Sequence, residues 1–250
     1  MNLPITKKSS PHFEVRANGV MPSFLILHYT ESLGPDDPDG YFMGTKPHPT
    51  GGRVSAHYMI DEAGAITQYV EEDKRAWHAG KSYWAGVDDI NSHSIGIELV
   101  NPGHALGYRH FPPAQMAALI ALCREIMQRH DIPADRVLAH SDVAPLRKRD
   151  PGEVFGWRDL AAAGIGLWPV PLKEDFEQAA AWAGDETKLK VALADYGYNP
   201  QENFTDMVTA FQRHFQPEVF NNGPAGVPDT QTAARLAALL RMKRALKLMP

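Results

Sequence analysis

The short apolar run RVLA, residues 136–139, passes directly into HSDVAPLRKRDPG, residues 140–152, and this junction constrains the chain more than any other stretch. The apolar run reads as a strand or strand end, so the polar segment behind it is a loop leaving a strand. That loop carries a histidine, two aspartates and three consecutive basic residues, and it closes on a Pro-Gly turn. Such a loop can present His and carboxylate ligands rigidly to a divalent metal. Cations crowded together gain nothing unless negative charge appears nearby. The expectation is that His140 and Asp150 hold zinc, that Lys148 lies beside it, and that distant segments supply what is missing.

The rest of the chain offers those segments. FLILHYT, residues 24–30, is a strand that places Phe24, Ile26 and His28 on one face by the two-residue period. Residues 31–52 are rich in Pro, Gly and Asp without a period and read as a long loop, with His48 a solvated histidine inside it. RVSAHYMID and AITQYV form a hairpin around a Gly-containing turn. HSIGIELVN is a further strand, with Ile95, Ile97 and Leu99 on one face and Gly96 and Glu98 on the other. A carboxylate between buried-strand residues needs a reason. PPAQMAALIALCREIMQRH is a helix whose apolar face is Met116, Leu119, Ile120, Cys123 and Met127. Pro169 and Pro171 mark a boundary. Beyond it lie three helical patterns, with a basic end, RMKRALK, that reads as a solvated face. The fold class is therefore α/β over residues 1–170, a central mixed β-sheet flanked by helices, followed by a small all-α three-helix unit at 171–250.

Composition narrows the chemistry. A net charge of −5 over 250 residues gives no electrostatic reason for a nucleic-acid partner. The single cysteine, Cys123, sits on the apolar face of a helix and removes thiolate zinc sites, so a metal must use His and carboxylate. No apolar run approaches the ~20 residues of a transmembrane helix. The N-terminus lacks the apolar core of a secretory signal, which points to the cytoplasm, with the periplasm as the alternative. Zinc catalysis wants three protein ligands and one open position. His28, His57, His78, His140, Asp142 and Asp150 are all candidates, and the absence of an HExxH pair means that the site is assembled from separate segments.

FLILHYT, RVSAHYMID, KRAWHAG, HSIGIELVN and HSDVAPLRKRDPG, in this order and spacing, resemble the zinc-dependent N-acetylmuramoyl-L-alanine amidases of the type-2 family. The last seventy or so residues resemble a peptidoglycan-binding helical domain through YGY, AFQRHF and DTQT. The resemblance implies His28, His140 and Asp150 as zinc ligands, Glu98 as general base and Lys148 as the cation that stabilises the oxyanion. It also implies that Arg53 and Arg147 grip carboxylates of a stem peptide, with Trp77, His78, Ala79 and Ala144 along the substrate cleft. The implied partner is peptidoglycan or its muropeptide fragments, the muramic acid possibly in its 1,6-anhydro form. The rival reading is a receptor of the same fold that binds without cutting. The 34–52 part of the 31–52 loop, after a ligand strand and before Arg53, is expected to rim the cleft and to help choose between 1,6-anhydro fragments and intact glycan.

Overall fold

The structure, a computed structural model, describes all residues except 1, 2, 183, 247, 249 and 250. The described strands are β1 (Ile5–Lys7), β2 (Phe13–Val15), β3 (Phe24–Tyr29), β4 (Tyr58–Ile60), β5 (Ile66–Gln68), β6 (Lys74–Ala76), β7 (Ser94–Leu99) and β8 (Val137–Ala139). Helices in the first part are α1 (Asp36–Phe42), α2 (Ile90–His93), α3 (Gly103–Leu106), α4 (Pro113–His130), α5 (His140–Val143) and α6 (Trp157–Ala162). The second part is helical throughout: α7 (Lys173–Ala180), α8 (Glu186–Tyr196), α9 (Phe204–Phe215), α10 (Val219–Asn222) and α11 (Thr230–Leu246). Among the described residues no helix is long and apolar enough to cross a membrane.

Six strands form a mixed sheet in the order β1-β5-β4-β7-β3-β8, and β2 pairs separately with β6. Only the β4–β5 hairpin within the large sheet is antiparallel. Its turn is closed by Asp61, whose carboxylate accepts from the Ala65 N–H at 2.8 Å. The three central strands β7, β3 and β8 run parallel, with Ile26 opposite both Gly96 and Leu138, and His28 opposite Glu98. Parallel neighbours deliver their carboxyl ends to one edge of the sheet, and in open sheets that edge is where ligands bind.

Alternation along β3 and β7 divides two cores. Leu25, Leu27, Ile95, Ile97 and Leu99 face α4 and α6, packing on Leu119, Leu122, Cys123, Ile126 and Trp157. Phe24, Ile26 and Leu138 face the other way, in one cluster with Tyr196, Tyr198, Phe211 and Phe215 of the helical part. The buried face of α4 is rotated from the expected one: Gln115, Leu122 and Ile126 are buried, whereas Met116, Ile120 and Met127 are only partly covered. Gln115 is the reason that a polar residue lies inside. Its Nε2 donates to the carbonyls of Ile60 and Val100, satisfying strand ends that the helix covers.

The 31–52 segment contains α1, a short helix where a loop is expected. Pro35 and three aspartates start it, acidic groups being favourable at a helix N-terminus. Its few buried residues, Pro38, Gly40 and Phe42, leave no readable period. Asp39 pairs with Lys8 and accepts from the Tyr69 hydroxyl at 2.6 Å, which pins α1 to the sheet. The first helical pattern of the C-terminal part divides into α7 and α8, broken near Gly184, whose φ is +70°, and restarted by the Asp185 cap. Arg241 and Lys243, read as part of a solvated face, tie α11 down: Arg241 pairs with Asp175 at 2.7 Å and Lys243 donates to the Asp195 and Tyr196 carbonyls. Lys247 of the same basic end lies outside the described residues.

Glu72 joins β4 to the end of α4, accepting from Tyr58, Arg129 and His130 at 2.6–2.8 Å. Burial pushes its carboxyl up, but those donors outweigh it and hold the pKa at about 2. A depressed carboxylate pKa contributes stability above the unfolded value, and that contribution disappears as pH falls through the folded one. Replacing Glu72 by Gln is expected to cost roughly 2 kcal/mol at neutral pH. The difference between variant and parent should shrink between pH 4.5 and about 2, as read from denaturation midpoints across that range.

Candidate metal centre

Two segments far apart in sequence bring the ligands together at the carboxyl ends of β3 and β8. His28 is the fifth residue of β3, and His140 follows β8 directly as the first residue of α5. Asp150 lies at the far end of the same loop, its carbonyl accepting from the Ser141 N–H at 3.1 Å. His28 Nδ1, His140 Nδ1 and Asp150 Oδ2 form a triangle with every edge 2.9 Å. All three residues are buried, and together they are the group identified as able to hold a metal ion among the described residues.

The hydrogen bonds behind the imidazoles decide which nitrogen each one offers. The Ile90 carbonyl can only accept, so the Ser94 hydroxyl donates to it at 2.6 Å and in turn accepts from His78 Nε2 at 3.1 Å. His78 Nδ1 is then an acceptor, and it takes the Nε2 proton of His28 at 3.0 Å. His140 Nε2 donates to the Ala79 carbonyl at 3.1 Å. Both ligands are thereby left with a lone pair on Nδ1, the atoms that meet. Burial, followed by the His140 charge, lowers the His28 pKa to about 4, so this imidazole is neutral near pH 7. Burial would raise the Asp150 carboxyl, but His140 and His28 hold it well below the ordinary value. Two lone pairs and a carboxylate oxygen at 2.9 Å repel one another in the absence of a cation, so the donor set fits a divalent metal.

The other candidates fall away from the triangle. His57 is buried just before β4, on the far side of His78 from His28, accepting from the Gly96 N–H at Nδ1 and facing the Lys74 carbonyl with Nε2; burial, then Arg16, takes its pKa to about 3. Asp142 points the opposite way and accepts from Ala139 N–H, Tyr198 and His214. His78 stands behind His28 as its hydrogen-bond partner and also lines the cleft. Ser94 and Gly96 are the residues that sequence reasoning missed. A Cβ on Gly96 would lie 2.4 Å from the His78 ring, so glycine is what lets the ring stand there. The signal was legible: Ser94, Gly96 and Glu98 alternate on the face opposite Ile95, Ile97 and Leu99.

A cleft of about 560 Å³ opens over the triangle. Glu98 lines it with Arg53, Trp77, His78, Ala79, Arg147 and Lys148. The Oε2 atom of Glu98 is buried and has no hydrogen-bond partner among the described residues. Burial, then the Asp150 charge, raises its pKa well above the ordinary value, while Lys148 pulls it back. Arg147 donates to the carbonyls of Ala79 and Lys81. Ala144 is buried, its carbonyl accepting from the N–H groups of Arg147 and Lys148, and it is not among the cleft-lining residues. Pro38, Tyr41, Phe42 and His48 form the wall contributed by the 31–52 segment. Ser94→Ala or Gly96→Ala should each lower metal affinity roughly 10–100-fold, the range for losing an outer-shell partner of a ligating histidine. Competition with a chromogenic chelator reads this directly, and parent affinity in both would detach His78 from the centre.

Comparison with known proteins agrees with this geometry. Residues 18–153 match the family described as N-acetylmuramoyl-L-alanine amidase. The chain is 38% identical over 236 residues to N-acetylmuramoyl-L-alanine amidase AmiD of Escherichia coli, covering 86% of this chain and 81% of that protein. It is 40% identical over 161 residues to 1,6-anhydro-N-acetylmuramyl-L-alanine amidase AmpD of Haemophilus influenzae, covering 59% of this chain and 85% of that one. Among solved structures, AmiD of E. coli in complex with the substrate anhydro-N-acetylmuramic acid-L-Ala-D-gamma-Glu-L-Lys superposes with a TM-score of 0.74 at 35% identity, covering 90% of this chain and 92% of that one. AmpDh3 of Pseudomonas aeruginosa in complex with an anhydromuramic pentapeptide gives 0.75 at 33%, covering 90% and 93%. With a mixed sheet, a buried His-His-Asp group at its edge and these relatives over most of its length, the chain belongs to the N-acetylmuramoyl-L-alanine amidase family of amide hydrolases.

Proposed function

We propose that this chain hydrolyses the amide between N-acetylmuramic acid, taken in its 1,6-anhydro form, and L-alanine, with zinc held by His28, His140 and Asp150. The observation that carries the reading is the unpartnered carboxylate oxygen of Glu98, buried in the same cleft as three convergent ligand atoms. Two neutral imidazoles and one carboxylate suit zinc, which then supplies net positive charge to polarise the scissile carbonyl and acidify water.

The side chains of this protein do the rest. Glu98 is the register partner of His28 and projects from the same face of the sheet. Its Oε2 takes a proton from the attacking water and passes it to the departing amine of L-alanine. Its raised pKa makes it a stronger base toward the water proton. The charge of Lys148 reaches both Glu98 and His28, so it lies where an oxyanion on the former carbonyl would be neutralised. Arg53, exposed on the cleft wall, is the grip for a stem-peptide carboxylate through paired hydrogen bonds. Arg147 serves the same peptide while its Nη2 braces the Ala79 carbonyl that orients His140. Trp77 and Ala79 line the path of the sugar and peptide.

Residues 171–250 offer the polymer a second surface, a groove of about 330 Å³ that includes Trp182, Lys188, Asp195 and Arg244. α1 contributes Pro38, Tyr41 and Phe42 to the cleft and is the element that selects among substrates.

Glu98→Gln keeps the shape of the carboxyl and removes its base. It is expected to lower kcat by about 10²–10⁴ while the chain still binds one equivalent of metal. Lys148→Met should lower kcat by about 10²–10³ with KM little changed. If Glu98→Gln turns over muropeptides at the parent rate, Glu98 is not the base; if the parent chain binds zinc and leaves the amide of muropeptides uncut, the receptor of the same fold takes its place. Digestion of sacculi and of anhydro-muropeptides, with products weighed by mass spectrometry, is expected to favour the anhydro substrate. Shortening residues 34–52 should narrow that preference, and an unchanged ratio would remove α1 from substrate choice.

A further inference from the structure

Two consecutive residues of α9, Arg213 and His214, reach back to both ends of the loop that carries His140 and Asp150. His214 Nδ1 donates to Asp142 Oδ2 at 2.7 Å, two residues after His140. Tyr198, in the turn after α8, donates its hydroxyl to the other oxygen of Asp142 at 2.7 Å. Asp142 Oδ2 also accepts from the Ala139 N–H at 2.8 Å, just before the ligand. Asp142 and His214 are each 1% exposed. Arg213 Nε reaches Glu153 Oε2 at 3.3 Å, three residues after Asp150. The same Glu153 faces His104 Nε2 at 3.1 Å, and His104 Nδ1 meets the Tyr29 hydroxyl at 2.8 Å, next to His28. The neighbours of all three ligands therefore connect to one turn of one helix.

Apolar contacts fix that helix in place. His214 stacks on Trp157 with ring centroids 3.7 Å apart, and on Phe215 at the same distance. Trp84 packs edge-on against Tyr196 and Tyr198. Between those tyrosines, a Cβ on Gly197 would lie 2.3 Å from the Trp84 ring, so the turn seats the indole only with glycine there. Ala85 N–H donates to the Gly197 carbonyl at 2.8 Å. This joint is well packed, buried and polar at its centre, unlike a flexible tether between independent units.

We infer that the helical part is a clamp on the metal loop: His214 and Tyr198, acting through Asp142, and Arg213, acting through Glu153, hold His140 and Asp150 ready for the cation. This rests on the ligand assignment above. These five residues, none of which lines the cleft, touch neither cation nor substrate and are positioning residues. A loop of thirteen residues whose ends are held loses less conformational freedom when metal binds, so the clamp appears as metal affinity. Removing it leaves the buried Asp142 carboxylate short of a donor beside the ligand it supports.

The test uses the full chain and two complementary substitutions. His214→Phe keeps the stack on Trp157 and deletes the donor; His214→Asn keeps an amide donor near the Nδ1 position and deletes the ring. Zinc affinity is read by chelator competition, and the visible spectrum of the cobalt-loaded protein reports ligand geometry. His214→Phe is expected to lose metal affinity roughly 10–100-fold with an altered cobalt spectrum, and His214→Asn to recover most of it. Parent affinity and spectrum in His214→Phe would overturn the clamp. Should His214→Phe not fold, Tyr198→Phe and Arg213→Met carry the same measurement, and parent affinity in both would overturn it equally. His140→Ala separates the two readings: retained zinc in this variant removes the ligand assignment itself, whereas lost zinc in it with parent affinity in the clamp variants removes only the clamp.

Discussion

Three atoms that repel one another are held 2.9 Å apart, and most of the surrounding structure exists to keep them there. The cost is met by hydrogen bonds on the far side of each imidazole. The Ile90 carbonyl sets the Ser94 hydroxyl, which sets His78, which sets His28; the Ala79 carbonyl sets His140 directly. Each link removes one choice of tautomer, so both lone pairs point inward before a cation arrives. The preorganisation lies in the scaffold, and a metal entering it finds ligands that need little rearrangement.

The sheet explains why this arrangement is affordable. Parallel pairing puts His28 beside Glu98 and brings His140 to the same edge from β8, so the base and two ligands need no long side-chain reach. The face of β7 that carries Ser94, Gly96 and Glu98 is given over to chemistry, while Ile95, Ile97 and Leu99 hold the core. Glu98 is the one carboxylate placed where burial raises its pKa without a hydrogen-bond partner on Oε2, which is the condition a proton carrier between water and an amine requires. On that same face of the sheet, Phe24, Ile26 and Leu138 share a core with α8, α9 and α11, so the helical part and the ligand strands are packed as one body.

Some of this was readable in the residues. The two-residue period of FLILHYT and HSIGIELVN placed His28 and Glu98 on the faces they occupy, and the end of the strand before His140 was visible in the residue pattern, although the expected loop opens with the short helix α5. Other features were not. α1 escaped because seven residues with three buried positions carry no period. The face of α4 was misjudged because Gln115 is buried to satisfy two strand carbonyls, a demand set by neighbours absent from its own segment. Arg241 and Lys243 read as solvated because their partners, Asp175 and the carbonyls of Asp195 and Tyr196, lie about fifty or more residues away.

Local sequence determined which residues could be ligands, where β3, β4, β5, β7 and β8 run and which side of β3 and β7 is apolar, because periodicity and residue chemistry are properties of short segments; β1, β2 and β6, three residues each, are too short to carry a period. It left six candidate ligands standing, and ranking them needed resemblance to a family. Tertiary structure alone chose among them: it turned Asp142 away to meet Tyr198 and His214, tied His57 to the Gly96 N–H and the Lys74 carbonyl, and stood His78 behind His28. The physical reason is that ligation depends on lone-pair direction, and direction is set by hydrogen bonds between residues 39 to 72 positions apart.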